Sequence, residues 1–386
     1  MYAGTIRDWP KRVCFGPGSV KELPRLLEEI GARRTAVVCG TSVASGPILA
    51  KVKAALGAHY AGVYDTVPAH APYRSVQEAA AKVAELAADC VVSVGGGSAI
   101  DSGKGVVLLA ATGGQFAPYE IHYGAMGSMQ RAPIPPSPIK HIAVPTTAGS
   151  ASDVMPTAGI RDPQAGRKML FWDERIVPDA TVLDPELAVY AGPQLTAATG
   201  MTALARSIEC LYSKHRHPIS TGLALHAARL LRTALPRSVE APTDIAARAD
   251  CQMACLMSGT AAINAMVSVV HAIGHVVGGK YALQHGTSHG ILLAPALRRL
   301  LPAIGGEARY VLEALGCSPD GTPEDAANAM EDLLHRLPVA QRLSHVGVSE
   351  TDLPDIAAAT MNDYMMANVP TPMNVDDVEA LLRSAL

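Results

Sequence analysis

Between Ser19 and Ala110 the apolar positions alternate between two periods. The segment VKELPRLLEEIGA (20–32) spaces its leucines and isoleucine three and four residues apart, as one face of a helix does. The following TAVVCG (35–40) is short and apolar throughout, the pattern of a strand covered on both sides. The cycle then repeats. ILAKVKAALGA (48–58) returns to helical spacing, SVQEAAAKVAELAADC (75–90) does so again, and VVSV (91–94) is another buried strand. Gly31 and Gly62 are read as helix ends or turns. Alternation of this kind predicts βαβ units, and hence a parallel sheet covered by helices.

From Ala111 to Lys140 the chain is rich in glycine and proline, including APIPPSPIK, and is expected to be a loop over a site or a strand edge. Beyond Thr196 the strand pattern disappears. MTALARSIECLYSK, TGLALHAARLLRTAL and AARADCQMACLMSGTAAIN read as successive helices. The expected fold is an α/β N-terminal domain with a Rossmann-like parallel sheet over residues 1–188, followed by an all-α C-terminal domain over 189–386. No internal repeat is evident.

Composition narrows the function classes. With 49% hydrophobic and 17% charged residues in 386, the chain is long enough for two cores. Its 32 basic and 35 acidic residues are interspersed, giving a formal charge of -3 and no footprint for nucleic acid or anionic lipid. No apolar run reaches the roughly 20 residues of a membrane helix, and MYAGTIRDWPKRV does not resemble a secretory signal. Seven irregularly spaced cysteines suit neither a disulfide framework nor paired zinc motifs. The expectation is a cytoplasmic protein whose partner is a small molecule.

Two turns carry candidate chemistry. VVSV runs directly into Gly95, Gly96, Gly97 and Ser98, and AIDSGKGVVLLAA then takes up helical spacing. Glycines at a strand-to-helix turn admit a ligand close to the backbone, and the helix start offers free N–H groups to a pyrophosphate. Asp101 and Lys104, one turn apart on that helix, are placed to meet ribose hydroxyls and phosphate. A second strand, HIAV, ends in Pro145, Thr146, Thr147, Ala148, Gly149, Ser150, Ala151, Ser152 and Asp153. Two such turns at strand ends suit a ligand crossing the carboxyl edge of a parallel sheet.

GGGSAIDSGK resembles the GGGSxxDxxK motif of iron-type alcohol dehydrogenases, and PTTAGSASD resembles their PTTxGTGSE motif. The likeness runs from FGPGS through PDATVLDPEL and AATGM to ANVPTP, nearly the whole chain. It implies the fold shared with dehydroquinate synthases and a nicotinamide cofactor, NAD or NADP. It also implies that Gly96, Gly97, Ser98, Asp101, Thr146, Thr147 and Lys168 line the cofactor site, beside Gly95. A homodimer or larger homo-oligomer is implied as well. The strand TAVVCG ends in Gly40, Thr41 and Ser42, with no acidic residue to exclude a 2′-phosphate.

A cluster of histidines follows in VHAIGHVVGGKYALQHGTSHGILL: His271, His275, His285 and His289. Spacing of four puts each pair on one helix face, suited to metal ligation, proton transfer or anion contact. In the family that the chain resembles, an aspartate and a histidine in a GMDALxH pattern hold the metal together with two histidines matching His271 and His285. Here Thr202 stands where the aspartate is expected and Arg206 where the histidine is expected. A guanidinium is permanently charged and only donates, so it repels a divalent ion. No catalytic iron or zinc is therefore expected; if one were bound, His271 and His285 would be its ligands.

PAHAP (68–72) and the pair His285 and His289 also resemble the maleylacetate reductase branch, which implies a carboxylated substrate. The expected activity is hydride transfer between NAD(P) and a small carbonyl or alcohol. His271, His275 or His285 moves the proton, and Arg206 stabilises charge on oxygen or clamps a carboxylate. Reduction of an activated alkene in a dicarboxylate, and a lyase or synthase of the dehydroquinate synthase type, are the alternatives.

Overall fold

Strands buried on both faces must find parallel neighbours, and the computed structural model shows how they do so over the described residues 12–123, 129–162 and 167–386. The N-terminal stretch read as lacking a secretory signal, and the middle of the Gly- and Pro-rich stretch, lie partly outside them. Among the described residues two compact units are present, 12–190 and Ala191–Leu386.

In the first unit, strands β1 (Val13–Phe15), β2 (Thr35–Cys39), β3 (Tyr60–Tyr64), β4 (Cys90–Gly95), β7 (Lys140–Pro145) and β10 (Ala180–Leu183) form one parallel sheet. Their order is β1-β10-β7-β4-β2-β3. Two antiparallel ribbons lie in the intervening chain, β5 (His122–Tyr123) with β6 (Met129–Gln130), and β8 (Thr157–Asp162) with β9 (Arg167–Trp172). Alternate residues of β2 face opposite layers. Val37 and Cys39 pack with Leu23, Leu26 and Leu27 of α1 (Leu23–Ile30) and Val52 and Leu56, while Ala36 and Val38 pack with Ala79 and Val83 on the other side. Between α1 and the second group lie the short helix α2 (Thr41–Ala44), then α3 (Pro47–Leu56) and α4 (Tyr73–Glu85). The helix α5 (Gly97–Thr112) and the short α6 (Pro185–Ala188) complete the unit.

The expected βαβ pattern is therefore present, with corrections in detail. Gly31 closes α1 in the left-handed conformation at φ 74°, as expected. Gly62 does not lie in a turn; it is in the middle of β3, where an added Cβ would fall 2.7 Å from Leu86 Cδ1. That strand makes room for a leucine, a packing reason invisible to local pattern. The β8–β9 ribbon and the edge strand β1 were not expected. In the Pro-rich stretch a 3-10 turn spans Ala117–Tyr119 and residues 131–137 lack regular structure. The stretch is nonetheless anchored: Arg131 pairs with Asp173 at 2.8 Å, and Arg175 donates to the Ile134 carbonyl at 2.8 Å.

The second unit is helical: α7 (Pro193–Tyr212), α8 (Pro218–Glu240), α9 (Ile245–Ala265), α10 (Val269–Tyr281), α11 (His285–Ile304), α12 (Ala308–Leu315), α13 (Pro323–His335), α14 (Leu353–Thr360) and α15 (Val375–Ser384). From Ala203 to Tyr212 every residue of α7 is buried, so this helix is the centre of its unit rather than an amphipathic cover. Backbone contact sets its spacing to α11. A Cβ on Gly286 would sit 1.6 Å from the Ala198 carbonyl oxygen, so only glycine permits that approach. Among the described residues no single helix is long and apolar enough to cross a membrane; α9 and α10 pass only as a pair bent by 108°.

One buried imidazole makes the first unit sensitive to acid. His141 is held at Nε2 by Ser93 Oγ at 2.7 Å, and burial together with the Lys104 charge lowers its pKa to about 3. Below about pH 6.5 the unfolded chain binds a proton that the folded chain refuses, so stability falls as pH drops toward 3. Between pH 7 and pH 5 this group alone should cost on the order of 2 kcal/mol, and His141→Gln should flatten that part of the urea-midpoint profile.

Candidate active site

The strand order reverses beside β2 and β4, and the turn after β4 opens at the carboxyl edge there. β4 ends at Gly95 with φ 143°, Gly96 is the extended N-cap of α5, and no side chain caps the helix. The turn after β7 lies against it. The Thr146 N–H donates to the Gly95 carbonyl at 2.9 Å. A Cβ on Gly96 would fall 3.2 Å from Thr147 Cγ2, and one on Gly97 3.1 Å from Ser150 Cβ. Glycine at these positions keeps the amides of α5 open. Thr147 is 6% exposed and its hydroxyl has no hydrogen-bond partner among the described residues, an arrangement that a ligand oxygen would complete.

The other expected residues of this turn are mostly committed to the protein. Ser98 Oγ accepts the His70 N–H at 2.9 Å, holding His70 and Ala71 in left-handed backbone at φ 66° and 46°. Asp101 accepts the Ser152 hydroxyl and the Gly159 N–H. Lys104 does not meet a phosphate. Its ammonium is buried and donates to the Met155 and Thr157 carbonyls, each at 2.7 Å, and burial brings its pKa down to about 8. The helical spacing of Asp101 and Lys104 was correctly read, but the core lies on the lysine's side. Lys168, exposed on β9, extends over Gly159, where an added Cβ would fall 1.9 Å from its Cε.

In the helical unit α7, α9, α10 and α11 bring a second group of side chains together. Thr202, Arg206 and Glu209 lie on α7; Thr202 Oγ1 donates to the Ala198 carbonyl at 3.3 Å. Arg206 is only 4% exposed and donates through Nη1 to Ser258 Oγ at 3.0 Å. Glu209 is fully buried and accepts the Val270 N–H at 2.8 Å, the Tyr212 hydroxyl at 3.3 Å, and a contact with His271 Nδ1. The carboxylate fixes the His271 ring, leaving Nε2 for other chemistry. Burial lowers the His271 pKa against the pull of Glu209, and Arg206 adds to the lowering.

All four histidines converge. The rings of His271 and His289 are 4.1 Å apart, those of His285 and His289 5.9 Å, and those of His275 and His285 5.8 Å. His275 Nδ1 is 2.8 Å from Asp363 Oδ2, and its ring lies parallel to that of Tyr364 at 6.4 Å. Gly274 and Gly278 of α10 allow the approach: a Cβ there would fall 2.4 Å from His289 Nε2 and 3.3 Å from His285 Nδ1. Among the described residues no three His, Cys, Asp or Glu side chains converge as a metal site.

Sequence reasoning missed Glu209, Ser258 and Asp363. A carboxylate inside an otherwise apolar helix, three residues after Arg206, was a usable signal for Glu209. Nothing local marks Asp363, which lies 88 residues from His275.

Residues 10–185 match the iron-containing alcohol dehydrogenase family, and residues 196–386 match the C-terminal domain of the Fe-containing alcohol dehydrogenase family. The chain belongs to the iron-containing alcohol dehydrogenase family. It is 30% identical over 386 residues to an NAD-dependent methanol dehydrogenase of Bacillus methanolicus, covering 98% of each chain. It is also 30% identical over 377 residues to maleylacetate reductase 2 of Cupriavidus pinatubonensis, covering 98% of this chain and 95% of the relative. A crystal structure of 1,3-propanediol oxidoreductase superposes with a TM-score of 0.89 at 27% identity, covering 99% of this chain and 100% of the other. This family member is an NAD(P)-dependent oxidoreductase with the two-part fold of its relatives.

Glu209 should be the most sensitive polar position in the helical unit. Glu209→Ala leaves three buried groups without their acceptor and is expected to cost about 3 to 5 kcal/mol in chemical denaturation. A change of under about 1 kcal/mol would contradict the buried network.

Proposed function

We propose that this enzyme transfers hydride between NAD(P)H and a small carbonyl compound, or back from the alcohol, without a bound divalent metal. One observation carries the reading: a buried guanidinium, Arg206, stands on α7 three residues before Glu209, the carboxylate that holds His271. A donor set of one hydroxyl, one guanidinium and imidazoles beside a fixed positive charge does not suit a divalent ion. No step here passes through a metal.

The nicotinamide, when bound, supplies or accepts the hydride. The residues of the first unit suit it: open amides at Gly97 and Ser98, the absent Cβ at Gly96, and the buried Thr147 hydroxyl with no partner. Gly40, after β2, carries no carboxylate against a 2′-phosphate, so NADPH is admitted alongside NADH. In the helical unit His271 gives or takes the proton at Nε2 while Glu209 holds Nδ1. Arg206 stabilises the negative charge that develops on the substrate oxygen. His285 lies 5.8 Å from His275 and 5.9 Å from His289, and His275 and His285 are assigned to proton movement with His271.

The reading extends to a cytoplasmic enzyme acting on a small molecule as a homodimer or larger assembly; seven free cysteines support a reducing compartment. Elemental analysis of purified protein, paired with NADH and NADPH titration by fluorescence, tests it. Cofactor binding without stoichiometric metal is expected, and a tightly held iron or zinc required for turnover would overturn the metal-free reading. His271→Gln and Arg206→Met should each lower kcat at least about a hundredfold while leaving cofactor affinity within about threefold. Thr147→Val should weaken NAD(P)H binding about tenfold with no loss of stability, because it removes a buried hydroxyl that lacks a partner.

A further inference from the structure

His70 and Ala71 hold a left-handed backbone, at φ 66° and 46°, that side-chain-bearing residues of their kind rarely adopt. Two bonds keep them there. The His70 N–H donates to Ser98 Oγ at 2.9 Å, and the Ala71 carbonyl accepts the Arg161 N–H at 3.1 Å. The loop is thereby fastened to the first turn of α5 and to β8. Arg161 lies opposite Lys168 across the β8–β9 ribbon, on the face turned away from the core residues Ala158, Ile160, Met169 and Phe171. Lys168 folds back over Gly159, whose N–H donates to Asp101 of α5. Three basic side chains thus gather beside the start of α5. Among the described residues none of the three has a side-chain hydrogen bond or ion pair. Asp101 is occupied by Ser152 and Gly159, and Asp162, following Arg161, belongs to the other face of the strand. Burial and then the charges of Lys168 and Arg161 lower the pKa of His70, so these groups repel one another as they stand. An anion entering among them offsets that repulsion.

The sheet order says which end of the cofactor is near. A dinucleotide crossing this edge sets its adenosine ribose after β2, at Gly40, and its pyrophosphate on α5. Its nicotinamide half is left to the turn after β7, which runs on into β8. The substrate must touch the nicotinamide ring to exchange hydride with it. We infer that Arg161, flanked by His70 and Lys168, seats a carboxylate of the substrate, and that the enzyme reduces carbonyl compounds that also carry an acid group. This rests on the reading that NAD(P)H binds at the α5 turn. The guanidinium offers a carboxylate two parallel N–H bonds, and an imidazole N–H offers a further donor. The carboxylate itself is unchanged: hydride goes from NAD(P)H to the carbonyl carbon, a proton goes to its oxygen, and the products are NAD(P)+ and a hydroxy acid.

Turnover of 4-oxobutanoate and 5-oxopentanoate against their methyl esters, and calorimetric binding of glutarate to the enzyme–NADH complex, test the assignment. The native enzyme should favour the acids about tenfold or more in kcat/KM and should bind glutarate. Arg161→Met should remove about tenfold of that preference through KM for the acids and weaken glutarate equally, with NADH and NADPH affinity within about threefold. Arg161→Lys, which keeps the charge without the fork, should recover part of it. His70→Asn, a residue that tolerates left-handed backbone, should reduce the preference about threefold. Arg74→Met removes an arginine of α4 that is paired with Glu78 on the surface, and should change none of these values. Esters reduced as well as acids, or glutarate binding indifferent to Arg161, overturns the seat and leaves the dehydrogenase standing. A loss of NADPH but not NADH affinity in Arg161→Met assigns the cations to a 2′-phosphate and likewise overturns the seat. Glutarate bound through Arg161 while no carbonyl compound consumes NADH upholds the seat and removes the redox reading.

Discussion

A carboxylate shut away from water must be met by donors, and in the helical unit that requirement falls on Glu209. Its partners come from two stretches of chain, Tyr212 on its own helix and Val270 and His271 at the start of α10. The chain reaches α10 only after a sharp break, where Met266 adopts φ 64° and α9 and α10 diverge by 108°. The buried anion therefore does more than pair with a histidine. It fastens the first turn of α10 to α7 and so fixes the direction in which His271 presents its free nitrogen. The missing side chains at Gly274, Gly278 and Gly286 set the other spacing, letting α11 come against both α10 and α7. Ring positions in the cluster are the joint result of one buried charge and three absences of a Cβ.

In the first unit the division between scaffold and ligand surface runs along the backbone. Parallel strands deliver their carboxyl ends to one edge, so the turns after β4 and β7 become neighbours without any further device. The polar side chains of the motif then work inward. Lys104 secures two carbonyls at the start of β8, Asp101 accepts donors from Ser152 and Gly159, and Ser98 restrains the strained pair His70 and Ala71. What remains uncommitted is mainly amide N–H and the buried Thr147 hydroxyl. On the proposed reading such a surface meets a pyrophosphate with its ordering cost already met by the fold.

The helices and central strands of this unit were legible because their burial imposes a period on the sequence. β2 and β4 are covered on both faces and read as unbroken apolar runs, and α1 shows its leucines at helical spacing. β1 is three residues long on an edge, β8 buries only the short run Ala158–Ile160, and β9 buries only alternate residues beside polar ones, so none gives a long apolar run to detect. In the site, residues sharing a helix were found together, as His271 with His275 and His285 with His289. Contacts made through tertiary packing were not: Lys104 turns toward carbonyls over 50 residues away, and Asp363 reaches His275 from a distant loop. Spacing shows which face a side chain occupies and is silent about what covers that face.

Arg206 changes what its neighbours can be. A metal uses imidazole lone pairs as ligands, fixes their geometry by coordination, and leaves them no further role with substrate. A guanidinium needs acceptors, and a neutral imidazole beside it becomes a free hydrogen-bonding group whose protonation the fixed charge opposes. Burial lowers the pKa values of His271 and His289, and the Arg206 charge adds a smaller part. The remaining imidazoles then have to be held by the protein itself, and the Glu209 contact with His271 and the Asp363 contact with His275 supply that hold. On the metal-free reading proposed above, an arginine in place of one ligand turns the whole cluster's chemistry from coordination to directed hydrogen bonding, with the scaffold of helices left in place.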